Sequence, residues 1–171
     1  MRIDRLTNRL QMALSDAQSL ALGKDHQFIE PAHVMQVLLD QKGGPTALLR
    51  QLGADVTALR NDVSALVEGL PSVQGADGDV HMSNDLGRLM NVADKLTQKR
   101  GDQYISSEMV LLAALDGKGA LGKTLAKHHI DKAKLEQVIE QVRGGESVND
   151  QGEFVGITRD VLNLISERTD T

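Results

Sequence analysis

Residues 10–40 read LQMALSDAQSLALGKDHQFIEPAHVMQVLLD, and residues 86–116 read LGRLMNVADKLTQKRGDQYISSEMVLLAALD. Laid over each other at a constant offset of 76, their apolar positions coincide. Leu10, Ala13, Leu14, Ala17 and Leu20 fall on Leu86, Leu89, Met90, Ala93 and Leu96. Phe28-Ile29 falls on Tyr104-Ile105, and Val34-Met35 on Val110-Leu111. The register continues without a gap to residues 66 and 142, bringing Leu49, Leu59 and Val63 onto Leu125, Leu135 and Ile139. One register held across several elements and their turns is the mark of a tandem repeat.

The spacing predicts four helices in each copy. In the first, apolar residues at 6, 10, 13, 14, 17 and 20 recur at the helical period. Asp4 is expected to cap this helix and Gly23 to end it. Phe28-Ile29 reads as a short extended anchor. Pro31 stands at the favoured first position of a second helix. Gly43-Gly44-Pro45 opens a third, running to about Leu52, and Gly53 with Asp55 sets the start of a fourth, ending near Glu68. In the second copy, Ser83-Asn84-Asp85, Ser106 or Ser107, and Asp131 are the expected caps, with Gly144-Gly145 as the stop. The organisation is therefore a repeat over 1–71, a linker over 72–82, a repeat over 83–145, and a linker and tail over 146–171, with Ile157 to Arg168 a further amphipathic segment. Neither unit alone buries much core. The fold class is all-α, a pseudo-twofold tandem repeat packed as one body, and the seam between copies is a natural place for a groove.

Composition narrows the function. Tyr104, Phe28 and Phe154 are the only aromatic residues, so the core must be aliphatic, which suits helices. The net charge is −5, and the longest basic cluster, Lys95 to Arg100, belongs to an amphipathic helix. Nucleic-acid binders carry a basic stripe and often stacking aromatics, so no nucleic-acid partner is expected. There is no Cys, which excludes disulfides and thiolate chemistry and is compatible with a cytoplasmic setting. The N-terminus lacks the apolar run of a signal peptide, and no run of membrane-spanning length occurs, so no membrane partner is expected.

Residues 117–124, GKGALGKT, satisfy the phosphate-loop pattern G-x-x-x-x-G-K-[ST]. A nucleotide-binding protein would use Lys123 on phosphate and Thr124 on magnesium. That chemistry needs a strand before the loop and a sheet around it. The repeat instead assigns residues 106–116 to a helix, and the matching Gln41–Arg50 stretch has no such pattern. His128-His129 point in different directions on a helix and make a poor metal shell, so a solvated helix end is expected. His26, His33 and His81 read as isolated, with His33 on a polar helix face. No catalytic, cofactor or metal site emerges.

Three differences between the copies are informative: Asp16 against Val92, His33 against Met109, and Gln36 against Leu112. The second copy thus holds surplus apolar residues, and Leu96 borders Val92 one turn on. They either form an exposed patch for a partner or bury against the first copy or the C-terminal segment.

Longer strings carry a resemblance. Met1 to Asn8, Asp16 to Ala21, Phe28-Ile29-Glu30-Pro31-Ala32-His33, Lys99-Arg100-Gly101-Asp102, Tyr104-Ile105-Ser106-Ser107-Glu108 and Arg143-Gly144-Gly145 resemble the N-terminal domain of the ClpB-type protein disaggregases. The resemblance covers about residues 1–151, and Gly152 to Thr171 follow a different course. It implies a double four-helix repeat ahead of the ATPase domains of a hexameric chaperone, binding unfolded or aggregated polypeptide without catalysis or cofactor. It further implies an apolar client groove at Val92, Leu96 and Met109, and polar positions associated with client handling at Thr7, Asp102 and Glu108. The isolated chain is expected to be monomeric. Alternatives are an adaptor-docking domain of a Clp protease-type unfoldase and the small nucleotide-binding protein built on 117–124.

Overall fold

The computed structural model describes residues 3–73 and 80–144. Among them are eight helices: α1 (Asn8–Gly23), α2 (Pro31–Asp40), α3 (Pro45–Gln51), α4 (Val56–Glu68), α5 (Asn84–Arg100), α6 (Ser107–Leu115), α7 (Ala120–Lys127) and α8 (Lys132–Arg143). Two short strands, β1 (Phe28–Ile29) and β2 (His81–Met82), pair in parallel. The expected helical tail at 157–168 lies outside the described residues.

Each helix predicted within the described residues is present, with one shifted start. Asp4 sits in a 3-10 turn, Ile3–Arg5, and α1 begins only at Asn8. Thr7 is the cap, its hydroxyl accepting from the Leu10 N–H at 3.3 Å. The delay has a cause: Leu6 is held extended in a parallel bridge with Ile105. The Ile105 N–H donates to the Arg5 carbonyl at 2.8 Å, and the Thr7 N–H to the Ile105 carbonyl at 3.0 Å.

The same arrangement recurs across the repeat. Met82 pairs with Ile29, and the Ser83 N–H donates to the Ile29 carbonyl at 3.1 Å. Ser83 then caps α5 by accepting from Leu86 N–H at 3.0 Å. Each copy therefore lends the residues before its first helix to the anchor of the other. The stretch 72–82 is not linker to its end, since His81–Met82 form a strand. Within the anchors the isoleucines do the holding: Ile29 and Ile105 are buried, while Phe28 is 42% exposed.

The helices also pack crosswise. α2 lies on α1 and α4, and α6 on α5 and α8, but α4 also meets α7 and α3 meets α8. One aliphatic core runs through both copies, including Leu10, Met35, Leu38, Leu59, Leu111 and Ile139. No aromatic side chain enters it among the described residues. α6 is buried on every side from Ser107 to Ala114, the condition for a helix that is apolar all round.

Candidate functional site: a groove at the seam of the repeats

α6 ends in Ala113-Ala114-Leu115, and the turn to α7 is Asp116-Gly117-Lys118-Gly119. Small residues there leave space that neighbouring helices do not fill. A cavity of about 480 Å³ opens over this turn. Leu66 and Leu70 at the end of α4 supply its copy-one wall, with Glu30, Pro31 and Ala32 at the start of α2. Leu89 and Val92 of α5 face them, and Leu121 of α7 completes the apolar lining. Asp85, Arg88 and Lys118 stand on the rim. The size falls in the range of ordinary binding pockets, and an apolar lining with few polar groups is their usual character.

The equivalent place in copy one is filled. Gln41 stands where copy two has Gly117, Val37 where it has Ala113, and Arg9 where it has Asp85. Arg9 reaches across, its Nη1 donating to the Lys42 carbonyl at 3.0 Å and to Gln41 Oε1 at 3.5 Å. The guanidinium lies against Gly44.

Of the residues expected to form a client site, Val92 lines the groove and is 37% exposed. Leu96, one turn along α5, is half-buried and packs against the core. Met109 and Leu112 are not on the surface; both are buried in the core because α6 is enclosed on all sides. The surplus apolar residues of copy two thus divide, two inward and one outward. Thr7, Asp102 and Glu108 are buried as well. Arg143, at the end of α8, donates through Nη1 to Asp102 at 2.7 Å and through Nε to Glu108 at 2.8 Å. Burial opposes the charge of Arg143, but Glu108 and Asp102 together outweigh it and hold the guanidinium more firmly protonated than usual.

Two histidine expectations change. His33 is fully buried, not on a polar face, and it is not isolated: its Nε2 lies 2.8 Å from His26 Nδ1. The packing of α2 against α1 takes the His33 side chain out of solvent. Burial, with His26 and Lys24 beside it, pushes the His33 imidazole down to about 4. His128 is largely buried, its Nε2 lying 2.6 Å from Asp62 Oδ2 of α4, so it joins the two copies; His129 is the exposed one.

The phosphate-loop lookalike is a helix–turn–helix. Gly119 precedes α7, and residues 120–127 are helical with no strand before them. Gly122 is required by packing, since a Cβ there would overlap the Gly117 carbonyl. Among the described residues no group of His, Cys, Asp or Glu is placed to hold a metal ion, and no helix is long and apolar enough to cross a membrane.

The groove residues that sequence reasoning passed over are Leu66, Leu70 and the Ala113–Leu121 junction. The signal was present in the repeat itself, as Gly117 and Ala113 against Gln41 and Val37.

The family model for the Clp repeat N-terminal domain matches residues 5–128. The chain belongs to the Clp repeat N-terminal domain family. The chaperone protein ClpB of Pseudomonas putida is 54% identical over 151 residues, covering 88% of this chain and 18% of that protein. This Clp repeat domain thus spans under a fifth of the length of such relatives. Two solved structures share its fold. The Hsp104 N-terminal domain of Candida albicans superposes with a TM-score of 0.74 at 17% identity, over 85% of this chain and 96% of that one. A ClpV N-domain in complex with a VipB peptide gives a TM-score of 0.68 at 22% identity, over 84% and 90%.

Proposed function

We propose that this Clp repeat domain is the non-catalytic polypeptide-binding module of a ClpB-type disaggregase of the cytoplasm. The groove at the repeat seam takes apolar segments of unfolded or aggregated clients, with Val92 on its wall and Leu96 extending the apolar strip along α5. The observation that carries this reading is an apolar cavity in copy two at the place where Arg9 and Gln41 fill copy one. On this reading Met109, Thr7, Asp102 and Glu108 serve client handling indirectly, by fixing α1, α6 and α8 beneath the groove. ATP hydrolysis belongs to ATPase domains carried by the full-length relatives.

Capture is expected to be weak and reversible. Burying apolar surface contributes roughly 25 cal/mol per Å² before the costs of ordering both partners. Several copies in one assembly would raise the avidity without new contacts. A second reading is favoured by one finding: the ClpV N-domain was solved with a VipB peptide. On that reading the groove docks one defined adaptor or partner segment.

The test is an NMR titration of the chain with unfolded casein and, in a separate sample, with ATP and magnesium. The reading expects casein to move the amides of Leu89, Val92, Ala114 and Leu121, and Val92→Asp to weaken that response, with Lys123 and Thr124 silent to ATP. Shifts confined to Gly117–Thr124 on adding ATP, with none from casein, would replace it with the nucleotide reading.

A further inference from the structure

α2 is started by a hydrogen-bond chain that has only one arrangement. The Glu30 N–H donates to His33 Nδ1 at 2.8 Å. That nitrogen must therefore be bare, and a neutral His33 carries its proton on Nε2. The His33 Nε2–H then donates to His26 Nδ1, so His26 carries its own proton on Nε2. The rings are tilted against each other with centroids 5.0 Å apart, and both are buried. No second proton fits. On His33 Nδ1 it would face the Glu30 N–H; on His26 Nδ1 it would face the His33 N–H. Either one breaks a bond and places a cation out of water.

The charged groups around the pair relieve this only in part. Lys24 follows α1 and repels a protonated ring. Glu68, at the end of α4, attracts a charge on His26, but its carboxylate is already engaged by Lys24. Glu30 contributes its backbone N–H. Asp25 precedes His26, and His81 on β2 donates its backbone N–H to the Gln27 carbonyl at 3.3 Å. The turn held by these bonds is the one whose Glu30, Pro31 and Ala32 form the copy-one wall of the groove. Copy two has no such device: Asp102 and Met109 occupy the places of His26 and His33, and Arg143 satisfies Asp102.

We propose that the His26–His33 pair is an acid-sensitive latch on the groove wall: protonation breaks the chain of hydrogen bonds at the start of α2, and the groove loses affinity for polypeptide. The effect on affinity rests on the groove being the polypeptide site; the latch itself does not.

Ring-nitrogen NMR on the full chain tests the latch directly. At neutral pH both imidazoles must be protonated at Nε2 and bare at Nδ1; a proton on His33 Nδ1 overturns the proposal. An acid titration then follows the amides of Glu30, Ala32, Leu66 and Leu89 together with casein binding. One shared transition is expected, with binding weakened several-fold and by no more than tenfold per pH unit, the limit for one linked proton. His33→Met, which installs the copy-two residue, should abolish that transition. Groove amides that titrate unchanged in H33M, or binding that is constant across a latch transition, would defeat the proposal. Failure of casein to bind at any pH would instead defeat the reading of the groove, leaving the ring and amide data to judge the latch.

Discussion

Arg143 shows how much can depend on one side chain. It is enclosed with two carboxylates, Asp102 and Glu108, and tethers the end of α8 to the α5–α6 turn and the start of α6. Arg143→Met keeps most of the volume but strands both acids. The expected cost is about 3–5 kcal/mol, the range for breaking a buried pair by removing one partner; urea denaturation of the two proteins reads it. His33 gives the pH counterpart. Its folded value of about 4 lies below the ordinary 6.5. Between those limits the unfolded chain binds the extra proton. Stability from His33 is therefore complete above about pH 6.5 and is lost as the pH falls towards about 4, by no more than about 3 kcal/mol. Urea midpoints at about pH 7 and about pH 5 should differ in the native chain and converge in His33→Met.

At the scale of elements, the boundaries rest on short polar side chains. Thr7 and Ser83 are repeat equivalents, each accepting from the N–H three residues on. Thr7→Ala and Ser83→Ala should each cost about 1 kcal/mol, and thermal melts of the two single variants should show similar losses. Much of this was legible in the sequence. Pro31, Gly44-Pro45, Asp55, Ser83, Asp131 and Gly144 mark boundaries by local chemistry that needs no knowledge of the fold. The start of α1 was not, because Leu6 is extended by a partner almost a hundred residues away. The same limit applies to the site. The seam could be inferred from the repeat, and Val92 from its contrast with Asp16. Periodicity could not reveal that α6 is enclosed all round, which takes Met109 inward, or that His26 and His33 meet across a turn.

At the scale of the whole molecule, the two copies are one structure. Ile29 takes its strand partner from the start of copy two, and Ile105 from the start of copy one. α4 packs on α7 and α3 on α8, and Asp62 meets His128 where the other seam has Leu52 and Val138, both partly buried against the core. Cleavage of the chain at a protease site introduced within residues 74–79 should therefore not release either half. The fragments are expected to elute together from a sizing column in native buffer and to separate only in denaturant; separation in native buffer would show that each copy holds its own core. The crossed pairing also sets an order of events during synthesis. Leu6 leaves the ribosome long before the isoleucine that receives it, which lies well inside the second copy, after α5. Leu6 therefore waits for that partner until most of the described chain has emerged, and the Leu6–Ile105 bridge is among the last contacts by which the newborn protein becomes native.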